Sequence, residues 1–156
     1  MNEDMPTIGR VRVRRWPAAD PARLVVLVHG YGEHIGRYEH VAQALVARGS
    51  AVVGPDHVGH GRSDGERALV KDFEPIVDDL RAVVEDARGD LPVVMVGHSM
   101  GGLIAARYAQ RHRDDLAGPD TEWHVLNGAR HEVFNELDQD ETIGLVASFA
   151  ERVTAR

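Results

Sequence analysis

The chain contains no cysteine. Disulfides, thiolate catalysis and cysteine-held zinc are thereby excluded. No apolar run approaches the ~18 residues that a membrane-spanning helix needs. The first ten residues, MNEDMPTIGR, hold no apolar stretch of the kind a secretory signal carries. The expected location is therefore the cytoplasm, with contact to a lipid surface left open. A basic stripe is missing too. The net charge is −7, which argues against a general nucleic-acid binder, because little would displace counterions from a phosphate backbone. Arg10, Arg12, Arg14 and Arg15 alternate with Val11 and Val13. They read as the wet face of a strand rather than as a binding arm.

What is present suits one globular domain. The 156 residues are 43% hydrophobic and 28% charged, enough to bury a core. Short apolar runs alternate with helical patterns. RLVVLV at Arg23–Val28 reads as a buried strand. Tyr38, Val41, Ala42 and Leu45 then follow helical spacing, and Gly49 stops that helix. Ala51, Val52 and Val53 begin a second strand, ended by Gly54 and Pro55. Phe73, Ile76, Val77, Leu80, Val84 and Ala87 form a helical stripe closed by Gly89. Residues 91–96 read as a third strand, followed by a helix to about Arg113. Residues 123–126 (WHVL) read as a short last strand, and Ile143, Val146, Ala150 and Val153 as a closing helix.

This alternation predicts βαβ units, hence an α/β fold with a mostly parallel sheet covered on both faces, three layers in all. Right-handed crossovers then place His29, Asp56 and Ser99 together at the C-terminal edge of the sheet, where sites in such folds form. There is no internal repeat or linker. Residues 1–118 are expected to form the core with the site, and residues 119–156 the last strand, a loop and a helix of the same domain.

Residues 93–102 read VVMVGHSMGG. Gly97-His98-Ser99-Met100-Gly101 matches the G-x-S-x-G nucleophile elbow. The turn from strand to helix is sharp enough to hold Ser99 in a strained conformation, and side chains two residues away would collide. It lifts the hydroxyl above the sheet and aims the first helical N–H groups at any oxyanion formed there. His29-Gly30-Tyr31-Gly32 follows the first strong strand and shapes the other half of an oxyanion hole. The backbone N–H groups of Tyr31 and Met100 are the expected donors.

Several segments appear in one order: HGYGEH at 29–34, Arg37-Tyr38, DHVGHGRSDGER at 56–67, and GHSMGG at 97–102. In that order they closely resemble the monoacylglycerol lipases of the α/β-hydrolase fold. GARHEVFNE at 128–136 is similar to the loop that carries the catalytic histidine there. The resemblance implies a carboxylic ester substrate such as a monoacylglycerol, Ser99 as nucleophile, His131 as general base, and no cofactor or metal. Lysophospholipases, thioesterases and haloperoxidases share the elbow. His131 also stands without the resemblance, since it lies just past the end of the 123–126 strand, on the edge that carries Ser99. The other histidines fit other places: His124 in a strand, His40 and His112 on helices, His98 inside the elbow. His57 and His60 could suggest a metal pair, but no third ligand has the spacing. Position 135 is Asn, so His131-Glu132 does not begin a zinc-binding H-E-x-x-H.

The orienting acid is harder to place. Similar enzymes carry it after a strand between a cap and the histidine loop, and this sequence passes from the helix through residues 114–120 straight to the last strand. The chain reads as a truncated hydrolase without a cap domain, which leaves an open cleft suited to short or small esters and a sheet edge that could pair two chains. Asp120 precedes the 123–126 strand, and six or seven residues at ~3.3 Å each place it roughly 20 Å from His131. Asp114 and Asp115 share that problem. Asp56 lies on the far side of the first strand from Ser99 and reads as a loop-ordering carboxylate. Glu136 and Asp138 could fold back to the ring of His131, with Glu132 a weaker candidate. The acid stays unassigned, and a remnant that binds without a working triad remains the rival to an enzyme.

Overall fold

The computed structural model describes residues 5–120, 124 and 126–155. Among these residues, five strands form one sheet: β1 (Thr7–Ile8), β2 (Val11–Trp16), β3 (Arg23–Val28), β4 (Ser50–Asp56) and β5 (Val93–Gly97). Among the described residues, four α-helices accompany them: α1 (Glu39–Ala47), α2 (Glu74–Arg88), α3 (Met100–Arg111) and α4 (Gln139–Thr154). The strand order is β1-β2-β4-β3-β5.

The middle of the sheet is parallel, as the alternation predicts: β3 pairs in parallel with both β4 and β5. The N-terminal side is not. β1 and β2, and β2 and β4, pair antiparallel. A hairpin-like entry needs no crossover helix, so no helical pattern precedes β3. Val11 and Val13 of β2 are buried while Arg12 between them is exposed, the two-residue period of a half-wet strand, and Trp16 at its end is buried on the other face.

β3 is buried along its whole length and serves both faces. Leu24, Val26 and Val28 pack with Ile76, Leu80 and Val84 of α2 and Ile104 and Tyr108 of α3. Val25 and Leu27 pack with Val41 and Leu45 of α1 and Ile143, Ala147 and Ala150 of α4. The result is the expected three layers. Gly49 sits at φ +77° just after α1, and its amide donates to the carbonyl of Val46, a left-handed stop that favours glycine.

The C-terminal third departs from expectation. Of the proposed 123–126 strand, Trp123 and Val125 lie outside the described residues, and His124 and Leu126 are not in a strand. Among the described residues, positions 112–138 carry a 3-10 turn (Arg113–Asp115) and loops and no further helix or strand. The outer side of β5 is met near its start, where the Ala117 amide donates to the carbonyl of Val93 at 2.8 Å. β3, β4 and β5 all end on one edge, and that edge carries His29, Asp56 and Ser99.

Candidate active site

Ser99 stands between β5 and α3 with φ 54° and ψ −121°. Only two non-glycine residues in the described chain have positive φ, Ser99 and Ala68. A serine held there carries backbone strain that the surrounding packing must impose. The glycines show how. A Cβ on Gly97 would lie 2.4 Å from the carbonyl oxygen of Gly101, and one on Gly101 would lie 2.0 Å from that of Val28. The elbow is therefore pressed against β3 with no room for side chains on either flank. Ser99 itself is exposed, while His98 and Met100 on either side are buried.

The turn after β3 is ordered by one carboxylate. Glu33 is buried, and its Oε2 accepts from the Gly30 amide (2.7 Å), the Tyr38 hydroxyl (3.0 Å) and Nδ1 of His98 (3.1 Å). Its Oε1 accepts from Arg37 at 2.8 Å. Burial alone would raise the Glu33 carboxyl. The hydrogen bonds from His98, Gly30 and Tyr38 outweigh it and hold the group below its ordinary value. Burial, with the Glu33 charge added, pushes the Tyr38 hydroxyl up. The side chain of Tyr31 leans outward, its hydroxyl donating to the carbonyl of Ala68 at 3.0 Å.

Asp56 does what a loop-ordering carboxylate does. It accepts from the amides of Ile35 (2.7 Å) and Arg62 (2.8 Å), and its backbone carbonyl accepts from Ser63 at 2.6 Å. His29, His57 and His60 cluster beneath the turn, with the His29 and His57 rings 4.2 Å apart. His29 donates from Nδ1 to the Gly30 carbonyl and accepts the His57 amide at Nε2. That is the neutral tautomer, and burial accordingly lowers its pKa to about 4.

His131 reaches the same edge by another route than a strand end. His98 donates from Nε2 to the carbonyl oxygen of His131 at 2.7 Å, and the two rings lie 4.9 Å apart. Arg37 bridges Glu33 and Glu132. His40 donates to the carbonyl of Phe134 at 2.6 Å. Glu136 folds back as expected, but it accepts from the backbone amides of Arg130 (2.6 Å) and Glu132 (2.9 Å). The carbonyl of Asp138 accepts the Thr142 amide at the start of α4. Among the described residues, neither ring nitrogen of His131 makes a hydrogen bond, and none joins it to Ser99. His131 is exposed at the edge of its own cleft with Glu132 and Glu136.

Ser99 opens onto a different cleft of about 630 Å³ along the outer side of β5, between that strand and α4. Its apolar walls include Met95, Val96, Val133, Phe134, Val146 and Phe149. Asp120 and His124 line it as well. The extended strand from which the distance of Asp120 to His131 was counted is not formed at the described positions 124 and 126. The residues whose roles the sequence did not disclose are Glu33, Arg37 and His98. A carboxylate three residues after His29-Gly30 and a histidine before the serine were the available signals.

Residues 19–119 match the family model described as serine aminopeptidase, S33. The chain belongs to this family. It is 45% identical over 128 residues to a monoacylglycerol lipase of Mycolicibacterium smegmatis, an alignment covering 75% of this chain and 46% of that protein. The match thus spans less than half the length of that lipase, and 36% of the human monoglyceride lipase, to which the chain is 44% identical over 109 residues (67% of this chain). A thermostable carboxyl esterase from Bacillus coagulans, solved in complex with glycerol, superposes with TM-score 0.62 at 35% identity, over 69% of this chain and 38% of that one. A predicted CIB-like hydrolase from Thermoplasma acidophilum superposes with TM-score 0.77 at 18% identity over 94% of this chain and 95% of that one. That last likeness speaks for the fold alone, the α/β-hydrolase fold, here at a similar chain length.

Proposed function

We propose that this S33-family chain hydrolyses carboxylic esters, monoacylglycerols among them, through an acyl-serine at Ser99. The observation that carries the reading is the strained Ser99 at φ 54°, exposed at the head of α3. The monoacylglycerol lipase and carboxyl esterase names of its relatives supply the substrate class.

The proposed reaction has two halves. Ser99 Oγ attacks the ester carbonyl carbon while His131 takes its proton. The carbonyl oxygen becomes an oxyanion held by the amides of Tyr31 and Met100. Collapse breaks the bond to the alcohol oxygen, which leaves with the proton from His131. Water then attacks the acyl-serine, His131 again accepting the proton, and the carboxylic acid departs with Ser99 restored. In this reading the acyl chain lies in the apolar cleft beside β5 and the alcohol faces solvent. No cofactor enters these steps.

A second reading, a binding protein without turnover, has one observation behind it: among the described residues no carboxylate meets the His131 ring. Kinetics separate the two. With p-nitrophenyl butyrate and a short 1-monoacylglycerol, turnover is expected and should vanish in Ser99→Ala and nearly vanish in His131→Ala. Hydrolysis at the parent rate by Ser99→Ala would dismiss the serine, and no hydrolysis by the parent would favour the binding protein.

A further inference from the structure

We infer that His98, the residue before the nucleophile, is a positioning residue that holds the His131 loop against the elbow only while its ring carries both protons. The inference rests on the reading of Ser99 and His131 as the reacting pair.

The geometry sets the requirement. Nδ1 of His98 faces Oε2 of Glu33 at 3.1 Å, and Nε2 faces the carbonyl oxygen of His131 at 2.7 Å. A carbonyl oxygen can only accept. Glu33 is ionised, because three donors besides His98 converge on its two oxygens and hold its carboxyl below the ordinary range. An acceptor therefore stands at each ring nitrogen. A neutral imidazole has one N–H and can serve one of them, whereas the imidazolium serves both. With His98 9% exposed and Glu33 7%, water is a poor substitute for the bond that is dropped.

When the proton leaves, the two bonds are not equal. The bond to the carboxylate is charge-assisted and the stronger. The remaining N–H stays with Glu33, and the carbonyl of His131 is released. The charged and titratable groups around His98 are Glu33, with Arg37 and Tyr38 behind it, and on the other side the His131 ring with Glu132 paired to Arg37. The Phe134 ring, 6.4 Å away, closes the apolar side. Arg37 remains as the second tie between the loops, so losing the first loosens the histidine loop rather than detaching it. The tether is present at low pH and is lost as pH rises through the loss of the His98 proton. Activity then falls at high pH through the loop.

The test reads the ring directly and the activity separately. Nitrogen-15 NMR of the histidine-labelled protein, together with hydrogen exchange of the 128–135 amides, should show both His98 ring nitrogens protonated wherever the loop is protected. Protection should fall about tenfold as one proton leaves. In His98→Gln, which keeps a donor but does not titrate, kcat should drop about tenfold with KM little changed, and the high-pH decline should disappear. A His98 ring with one bare nitrogen beside a fully protected loop would overturn the inference. So would a His98→Gln protein with the parent kcat and pH profile. If that variant does not fold, the NMR measurement on the unaltered protein decides alone. Ser99→Ala is assayed in parallel: if it keeps the activity, the reading of the reacting pair fails, while the NMR result still judges the tether.

Discussion

The α-carbon of Gly101 is pressed onto the carbonyl of Val28, so closely that a Cβ there would sit 2.0 Å from the oxygen. The contact is backbone on backbone, and neither side can swing away. Gly101→Ala must therefore push α3 off β3 or bend the elbow. Overpacking of this kind typically costs about 1–3 kcal/mol, and the upper end is expected here. Urea unfolding should show the loss, accompanied by loss of esterase activity. A variant with parent stability would mean that the elbow is not clamped by β3.

Stability should also fall on the acid side, through the buried histidines. Burial lowers the His29 pKa to about 4, and it lowers that of His57 well below the ordinary value. At His29 the unfolded chain binds a proton near pH 6.5 and the folded one only near pH 4, and His57 shifts in the same direction. The unfolded state thus gains protons first as pH drops, and stability is full above about pH 6.5 and declines as pH falls toward 4. His29 alone accounts for a loss on the order of 3 kcal/mol over that window. Urea midpoints measured between pH 7 and 4.5 should trace the decline, and His29→Asn should flatten it. A midpoint independent of pH across that range would contradict the burial argument.

The cleft beside β5 makes a prediction about acyl length. A methylene fully removed from water contributes about 0.8 kcal/mol, close to fourfold in kcat/KM. Met95, Val96, Val146 and Phe149 are only half-buried, and the cleft is open along its length. Each added methylene should therefore gain clearly less than fourfold, and the gain should stop at a modest chain length. A series of p-nitrophenyl esters from acetate to palmitate measures this. A sustained fourfold rise per methylene to the longest chain would show that the acyl group is enclosed.

Much of this was legible from local pattern. The apolar run ending at Val28, the stripe from Ile76 to Val84 and the G-H-S-M-G turn each announce an element within a few residues, and the structure forms them there. The three layers follow from that alternation. What stayed hidden depends on contacts far apart in the chain. Nothing near Glu33 reveals that its carboxylate meets His98, 65 positions away, or that His98 then meets the carbonyl of His131. The antiparallel entry of β2 beside β4 is a matter of pairing, which periodicity does not report. The path of the chain after Ala117 has the same origin: it lines the clefts beside β5, which no local pattern announces.

The central claim is that Ser99 forms a covalent acyl-enzyme, and a fluorophosphonate probe tests it most directly. Intact-mass measurement after incubation should show one adduct per chain. Peptide mapping should place it on Ser99, and Ser99→Ala should take up none. Ester hydrolysis by a protein that acquires no adduct, or an adduct mapped to any other residue, would contradict the account.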